Sequence, residues 1–270
     1  MSARFIISIA TSLAALIPPS VAFAQTWNSP GMTSEEIAAA RKAVAGPAPR
    51  RDLSGVWDAG GAGIGGSGQE DAREAARAPF TPLGEQMVQE NRPGNGPRTA
   101  PVAEINDPLS TMGDPAGFPR LLTFELRPVQ VVHTPNQVLM LYMFEKRFRV
   151  IWTDGRALPE DPDPRWYGYS VGRWEDDATF VVETIGMDDR TWLDNAGNPH
   201  SQDMRVVERY HRVNQGTLEL TVTVDDPTAY TGPWVARNRL PLTRIPADTD
   251  LMEMICSPTE AAEYRKIMGQ

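Results

Sequence analysis

From Leu121 to Thr243 the chain reads as one extended segment after another, each closed by a turn, and this constrains the fold more than any single motif. The clearest segment sets Leu218, Leu220, Val222 and Val224 on one face against Glu219, Thr221, Thr223 and Asp225 on the other. That period of two is what a half-buried strand requires. Eight such segments follow one another, over 122–133, 137–144, 147–153, 167–174, 179–185, 204–213, 217–224 and 234–243. Successive antiparallel strands make an up-and-down meander, which removes its exposed edges by curling shut. The expected fold is therefore mainly β: a single antiparallel up-and-down barrel of about 8 to 9 strands, lipocalin-like, with short peripheral helices at the N- and C-termini.

What precedes the meander is of a different kind. Arg4 is the only charge before an apolar run that carries a Pro pair and closes on Ala22-Phe23-Ala24, the pattern of a cleaved export signal. The unbroken apolar part, Phe5 to Ile17, is shorter than a spanning helix needs. The expected layout is a signal peptide over 1–24, cleaved after Ala24, a helix- and loop-rich wrap with one short strand over 25–117, the barrel over 118–246 and a C-terminal helix over 247–270. Within the wrap, Thr33 with Glu36 opens a short helix, Leu53-Ser-Gly-Val-Trp57 is a strand, and Thr81-Pro82 starts a helix ending near Asn91. Gly61-x-Gly63-x-x-Gly66 matches a dinucleotide fingerprint literally but lacks the second parallel strand of a Rossmann unit, so it reads as a glycine linker. Ser257-Pro258-Thr-Glu260 is a capping box.

Composition narrows the partners. A formal charge of -9 argues against a nucleic-acid binder. The lone cysteine, Cys256, rules out an intrachain disulfide and a thiolate-rich metal site, and reads as a small buried hydrophobe. An exported chain with that cysteine usage fits the bacterial periplasm or medium. Neither a cofactor nor a metal is expected, and no stable membrane insertion follows signal cleavage. No Gly-x-Ser-x-Gly elbow, His-Glu-x-x-His pair or Walker loop occurs.

If connections alternate between the two ends of a meander, the tight hairpins at 145–146, 175–178 and 214–216 share one end, and the long loops at 133–136, 154–165, 186–203 and 225–233 share the other. That rim then carries His133, His200, Asp154, Arg156, Asp188, Asp189, Trp192, Asp194, Asp226, Tyr230 and Trp234. A barrel mouth lined by loops is a usual ligand site. The aspartates also read as ordinary turn formers, and the tryptophans as core. Glu208 shares a face with Met204, Val206 and Tyr210, and Glu183 lies between Val181 and Ile185. Carboxylates on apolar faces require a partner or a function; Arg147 and Arg149 are the candidate partners, and an internal ion-pair network and a general base of raised pKa both remain open.

The string Tyr167-Gly-Tyr-Ser-Val-Gly-Arg-Trp-Glu175, with Val181-Val-Glu-Thr184, Thr191-Trp-Leu-Asp194, Pro199-His-Ser201, Val207-Glu-Arg209 and Asp225-Asp-Pro227 to Tyr230-Thr-Gly-Pro-Trp234, resembles a group of exported bacterial proteins of unassigned function over residues 118 to 240. The Leu53 to Trp57 opening is similar to the Gly-x-Trp start of lipocalin-like barrels. The resemblance implies a cysteine where this chain has Ser110-Thr-Met-Gly113; if it pairs with one near the C-terminus, Cys256 is the orphan of that pair.

Two functions are open. The first is a cofactor-independent lyase, isomerase or hydratase acting on an apolar or aromatic molecule at the barrel mouth. In it His200 or His133 serves as acid or base, Asp194 or Asp226 as orienter, Tyr230 as donor to an oxyanion and Glu208 as a further carboxylate. Trp192, Trp234, Arg156, Glu183 and Arg149 hold the substrate. The second is a lipocalin-like carrier of a hydrophobic ligand with no chemistry. If neither histidine has a carboxylate within hydrogen-bond reach, even allowing for loop motion, the first reading loses its mechanism.

Overall fold

In the computed structural model the described residues are Glu35, Ala39, 46–64 and 78–269. The expected signal peptide, nearly all of the helix opened by Thr33 and the stretch from Gly65 to Arg77 lie outside them. Nine strands close into a barrel in chain order: β1 Gly55–Asp58, β2 Val129–His133, β3 Gln137–Tyr142, β4 Phe148–Trp152, β5 Tyr169–Trp174, β6 Thr179–Ile185, β7 Arg205–Arg212, β8 Thr217–Asp225 and β9 Trp234–Ile245. The expected mainly β barrel is thus present. The short strand at Leu53 to Trp57 is its closing member, since β1 pairs antiparallel with both β2 and β9.

The helices are short: α1 Gly61–Ile64, α2 Pro82–Glu90, α3 Pro108–Met112, α4 Arg120–Thr123 and α5 Pro258–Met268. The expected capping box at Ser257 forms, and the expected helix start at Thr81-Pro82 is capped as well. Thr81 accepts from Gly84 N–H at the start of α2, and Ser257 and Glu260 make a reciprocal capping box on α5. α5 lies against α3, with Gly113 in contact with Ser257 and Pro258. Cys256 beside them is half-buried, its thiol pKa raised by burial.

Alternation decides which side chains enter the barrel. Leu218, Leu220, Val222 and Val224 are all buried, as their period of two requires, and so are Val206, Glu208, Tyr210 and Arg212 on β7. The first expected strand is shorter than its apolar run. Leu122 belongs to α4, and Phe118, Leu121, Leu122 and Leu126 are each at most 1% exposed; extended pairing begins only past Arg127-Pro128. Trp57 fills the interior between the walls, its indole N–H donating to Leu53 C=O at 2.9 Å. What is left among Trp57, Leu122, Leu126, Met140 and Tyr210 is a void of about 10 Å3, about the room one water needs. Among the described residues the barrel core is packed around this void.

One pairing breaks the meander. β4 and β5 run parallel, and their register covers only Ile151↔Ser170 and Trp152↔Val171. A parallel pair needs a crossover, and residues 153–168 provide it, passing along the outside of the wall. Where backbone pairing is short, side chains tie the seam. Arg149 Nη1 and Nη2 donate to Glu208 on β7 at 2.8 and 2.6 Å, Nε and Nη2 donate to Ser170 Oγ on β5 at 3.0 and 2.9 Å, and Nη2 also reaches Thr184 Oγ1 on β6 at 2.6 Å. Tyr210 O–H adds a bond to Glu208 at 2.7 Å. Gly172 keeps this side thin: a Cβ there would stand 2.4 Å from the Phe180 ring.

Burial works against the Arg149 charge, but Glu208 more than offsets it and holds the guanidinium pKa above its ordinary range. A buried pair is strongly destabilising to break yet often replaceable by apolar groups of similar size. Glu208→Ala is therefore expected to lose about 3–5 kcal/mol in urea unfolding, and Arg149→Met/Glu208→Leu together to recover most of that loss.

Candidate functional site

The parallel pair reverses the direction of every later strand, and so the long loops do not gather on one rim. β1 entry, the 134–136 turn, the exit of β4 and the hairpins at 175–178 and 213–216 share one end of the barrel. The 143–147 turn, the arrival of the crossover, and the 186–204 and 226–233 loops share the other. His133, Asp154 and Arg156 thus stand at the opposite end from His200, Asp188, Asp189, Trp192, Asp194, Asp226, Tyr230 and Trp234. The alternation argument fails at one step, the assumption that β5 is antiparallel to β4.

At the first end, His133 Nε2 accepts from Leu53 N–H at 3.1 Å, and its ring lies 6.2 Å from that of Trp174. Partial burial lowers its pKa. At the other end the residues clamp loops. Asp226 accepts from Ser201 N–H and Oγ at 2.6 and 2.9 Å, joining the 186–204 loop to its own. Tyr230 O–H donates to Pro199 C=O at 2.7 Å, and its ring lies 5.4 Å from Phe80 and 5.3 Å from Trp234. Asp194 accepts from Ala196 N–H at 2.9 Å and from the Asn198 amide at 2.7 Å; burial nevertheless raises its carboxyl pKa. Each bond turns a candidate catalytic group into a loop fastener.

His200 is 1% exposed. Its Nδ1 faces Ser201 C=O at 3.1 Å, an acceptor, so Nδ1 carries the proton and Nε2 accepts from Thr191 O–H at 2.8 Å. Burial lowers its pKa. A hollow of about 320 Å3 lies over it, bordered by Thr191, Trp192, Asp189 and Asn91. Neither His133 nor His200 has a hydrogen bond to a carboxylate among the described residues.

The inward carboxylates divide. Glu208 is buried on Arg149, as the face of β7 requires. Glu183 is on the outer face of β6, between Arg173 at 2.6 Å and Arg205. The inward residues of β6 are Phe180, Val182 and Thr184, so the apolar neighbours Val181 and Ile185 mark a covered outer face and not the core.

A pocket of about 440 Å3 opens on the outer wall along the β4–β5 seam, roofed by the crossover. Two expected binding residues, Arg149 and Arg156, line it together. Trp152, Leu158, Arg165 and Tyr169, which the sequence did not single out, complete its walls. The signal for them was present: 153–168 is too long and proline-rich for the hairpin that antiparallel neighbours use. Arg156 is anchored by Asp154 at 2.7 Å and held 3.4 Å over the Trp152 ring, while Arg165 lies 4.0 Å over Tyr169. The volume falls in the ~300–1,000 Å3 range of small-molecule sites.

Among the described residues no group of three or more His, Cys, Asp or Glu is placed to hold a metal, and no helix is long and apolar enough to cross a membrane. Comparison with known proteins gives no match to a family model, a curated protein or a solved structure. The class that the architecture defines is a closed nine-stranded β-barrel, consistent with a lipocalin-like fold.

A histidine whose pKa is lower folded than unfolded leaves stability intact above the unfolded value of about 6.5, and stability is lost as pH falls below it. The melting temperature should therefore fall between pH 7.5 and pH 5.5. In His200→Gln, less stable at the upper pH, the fall over the same interval should be smaller. Equal falls in both proteins would show that His200 is not the group titrating.

Proposed function

We propose that this chain is an exported ligand-binding protein that takes an apolar or aromatic small molecule in the pocket on the β4–β5 seam, without chemistry on it. The observation that supports the reading most is the pocket itself: a hollow of ligand size, walled by Trp152, Tyr169 and Leu158, in a barrel whose interior is filled. Proton-transfer chemistry of the lyase, isomerase or hydratase kind has less support. Its two candidate bases stand at opposite ends, both ring nitrogens of His200 are engaged by a hydroxyl and a carbonyl, and Asp194, Asp226 and Tyr230 are committed to loop contacts.

The fluorescence of 1-anilinonaphthalene-8-sulfonate, titrated into the folded protein, tests the site. Trp152→Ala should weaken binding by roughly tenfold or more, in line with an aromatic anchor in a pocket, and His200→Ala and His133→Ala should leave it within about twofold. Dependence on His200 and indifference to Trp152 would move the site to the far loops.

The export reading rests on Arg4, the apolar run after it and Ala22-Phe23-Ala24, and with it goes membership of the exported bacterial group that the chain resembles. Expression of the full chain in a bacterial host should yield a periplasmic or secreted protein whose N-terminal sequencing begins at Gln25. A cytoplasmic protein retaining residues 1–24 would remove the export part of the reading and leave the pocket untouched.

A further inference from the structure

We propose that the ligand of the seam pocket is a planar organic anion, an aromatic or conjugated carboxylate whose ring lies against Trp152 and Leu158 and whose carboxylate is bound by Arg165. This inference rests on the seam as the binding site and adds the chemical class of what enters it.

The pocket's charge is opposite to that of the chain. The protein carries 35 acidic residues against 26 basic, yet the pocket lining holds Arg149, Arg156 and Arg165 and no Asp or Glu. The three cations are not equivalent. Arg149 at the base is neutralised by Glu208, and Arg156 by Asp154. Arg165 makes no ion pair among the described residues; its guanidinium is only stacked over Tyr169. Its backbone is fixed, with Arg165 N–H donating to Gly186 C=O at 2.9 Å and Arg165 C=O accepting from Asp188 N–H at 3.0 Å and Gly168 N–H at 3.2 Å. A guanidinium stacked on a ring keeps its N–H edge free and pre-oriented, the fork geometry that meets a carboxylate with two parallel bonds.

The remaining walls select the body of the ligand. Trp152 and Tyr169 carry aromatic faces, Leu158 and Pro159 belong to the crossover, and Ser170 brings a hydroxyl to the base. Flat apolar surface beside an unneutralised cation disfavours two ligand types. A small inorganic anion would leave the apolar lining at Leu158 and Pro159 uncovered, and a neutral hydrocarbon would leave Arg165 unpaired under its cover. An organic cation meets the unneutralised Arg165 and is repelled.

The test compares 2-naphthoate with 2-naphthamide, which share size and ring but not charge, by isothermal titration of the wild type, Arg165→Gln and Trp152→Ala. The expected result is that wild type prefers the carboxylate by roughly tenfold or more, that Arg165→Gln brings the two ligands within about twofold by weakening only the carboxylate, and that Trp152→Ala weakens both. The preference should also shrink as salt is raised from 50 to 500 mM. Equal binding of acid and amide by wild type, with both still weakened by Trp152→Ala, would overturn the anion inference and leave the pocket standing. Insensitivity of both ligands to Trp152→Ala would overturn the pocket and the inference with it. Should Trp152→Ala fail to fold, Leu158→Trp, an uncharged substitution that fills the hollow, takes its place.

Discussion

The buried pair of Arg149 and Glu208 is the contact on which the rest of this barrel depends. A closed sheet is as strong as its shortest joint, and here that joint is a parallel pairing of two residues a side between β4 and β5. Arg149 answers from one strand to three others: Ser170 on β5, Thr184 on β6 and Glu208 on β7. Its guanidinium also lies 3.8 Å from the centre of the Phe118 ring, so the buried stretch that leads into α4 is seated on the same group. Desolvating two charges is costly, and the geometry offsets that cost with bidentate bonds and a tyrosine on the remaining lone pair.

The consequences run outward. Because β5 follows β4 in parallel, the chain must cross the outer wall, and the crossover roofs the hollow where the two strands diverge. Because strand direction is reset there, the two histidines separate to opposite ends and Asp194 and Asp226 fasten the 186–204 and 226–233 loops, while backbone bonds such as that from Thr81 N–H to Ala229 C=O tie them to the wrap. A structural irregularity in one pairing thus decides both where the hollow forms and why His133 and His200 stand apart.

Much of the architecture was legible. The alternation of β8, the tight turns, the caps of α2 and α5 and the inward face of Glu208 all follow from local chemistry, which the sequence displays directly. What was hidden is relational. Strand direction is not written in a strand, and only the length and prolines of 153–168 hinted at a parallel partner. Glu183 misled for a similar reason: Val181 and Ile185 are apolar on a covered outer face, which period-two reasoning cannot tell from the core. The site was half visible, since Arg149 and Arg156 stood out as charges while Trp152 and Tyr169 looked like ordinary strand residues. Their joint role depends on a contact across the seam.

Hydrogen exchange with and without saturating 1-anilinonaphthalene-8-sulfonate examines the central claim most directly, because it locates a ligand without presupposing where it binds. The account predicts new protection confined to residues 148–171, in β4, the crossover and the start of β5. Protection centred on 186–204 around His200, or spread through the barrel interior, would contradict it.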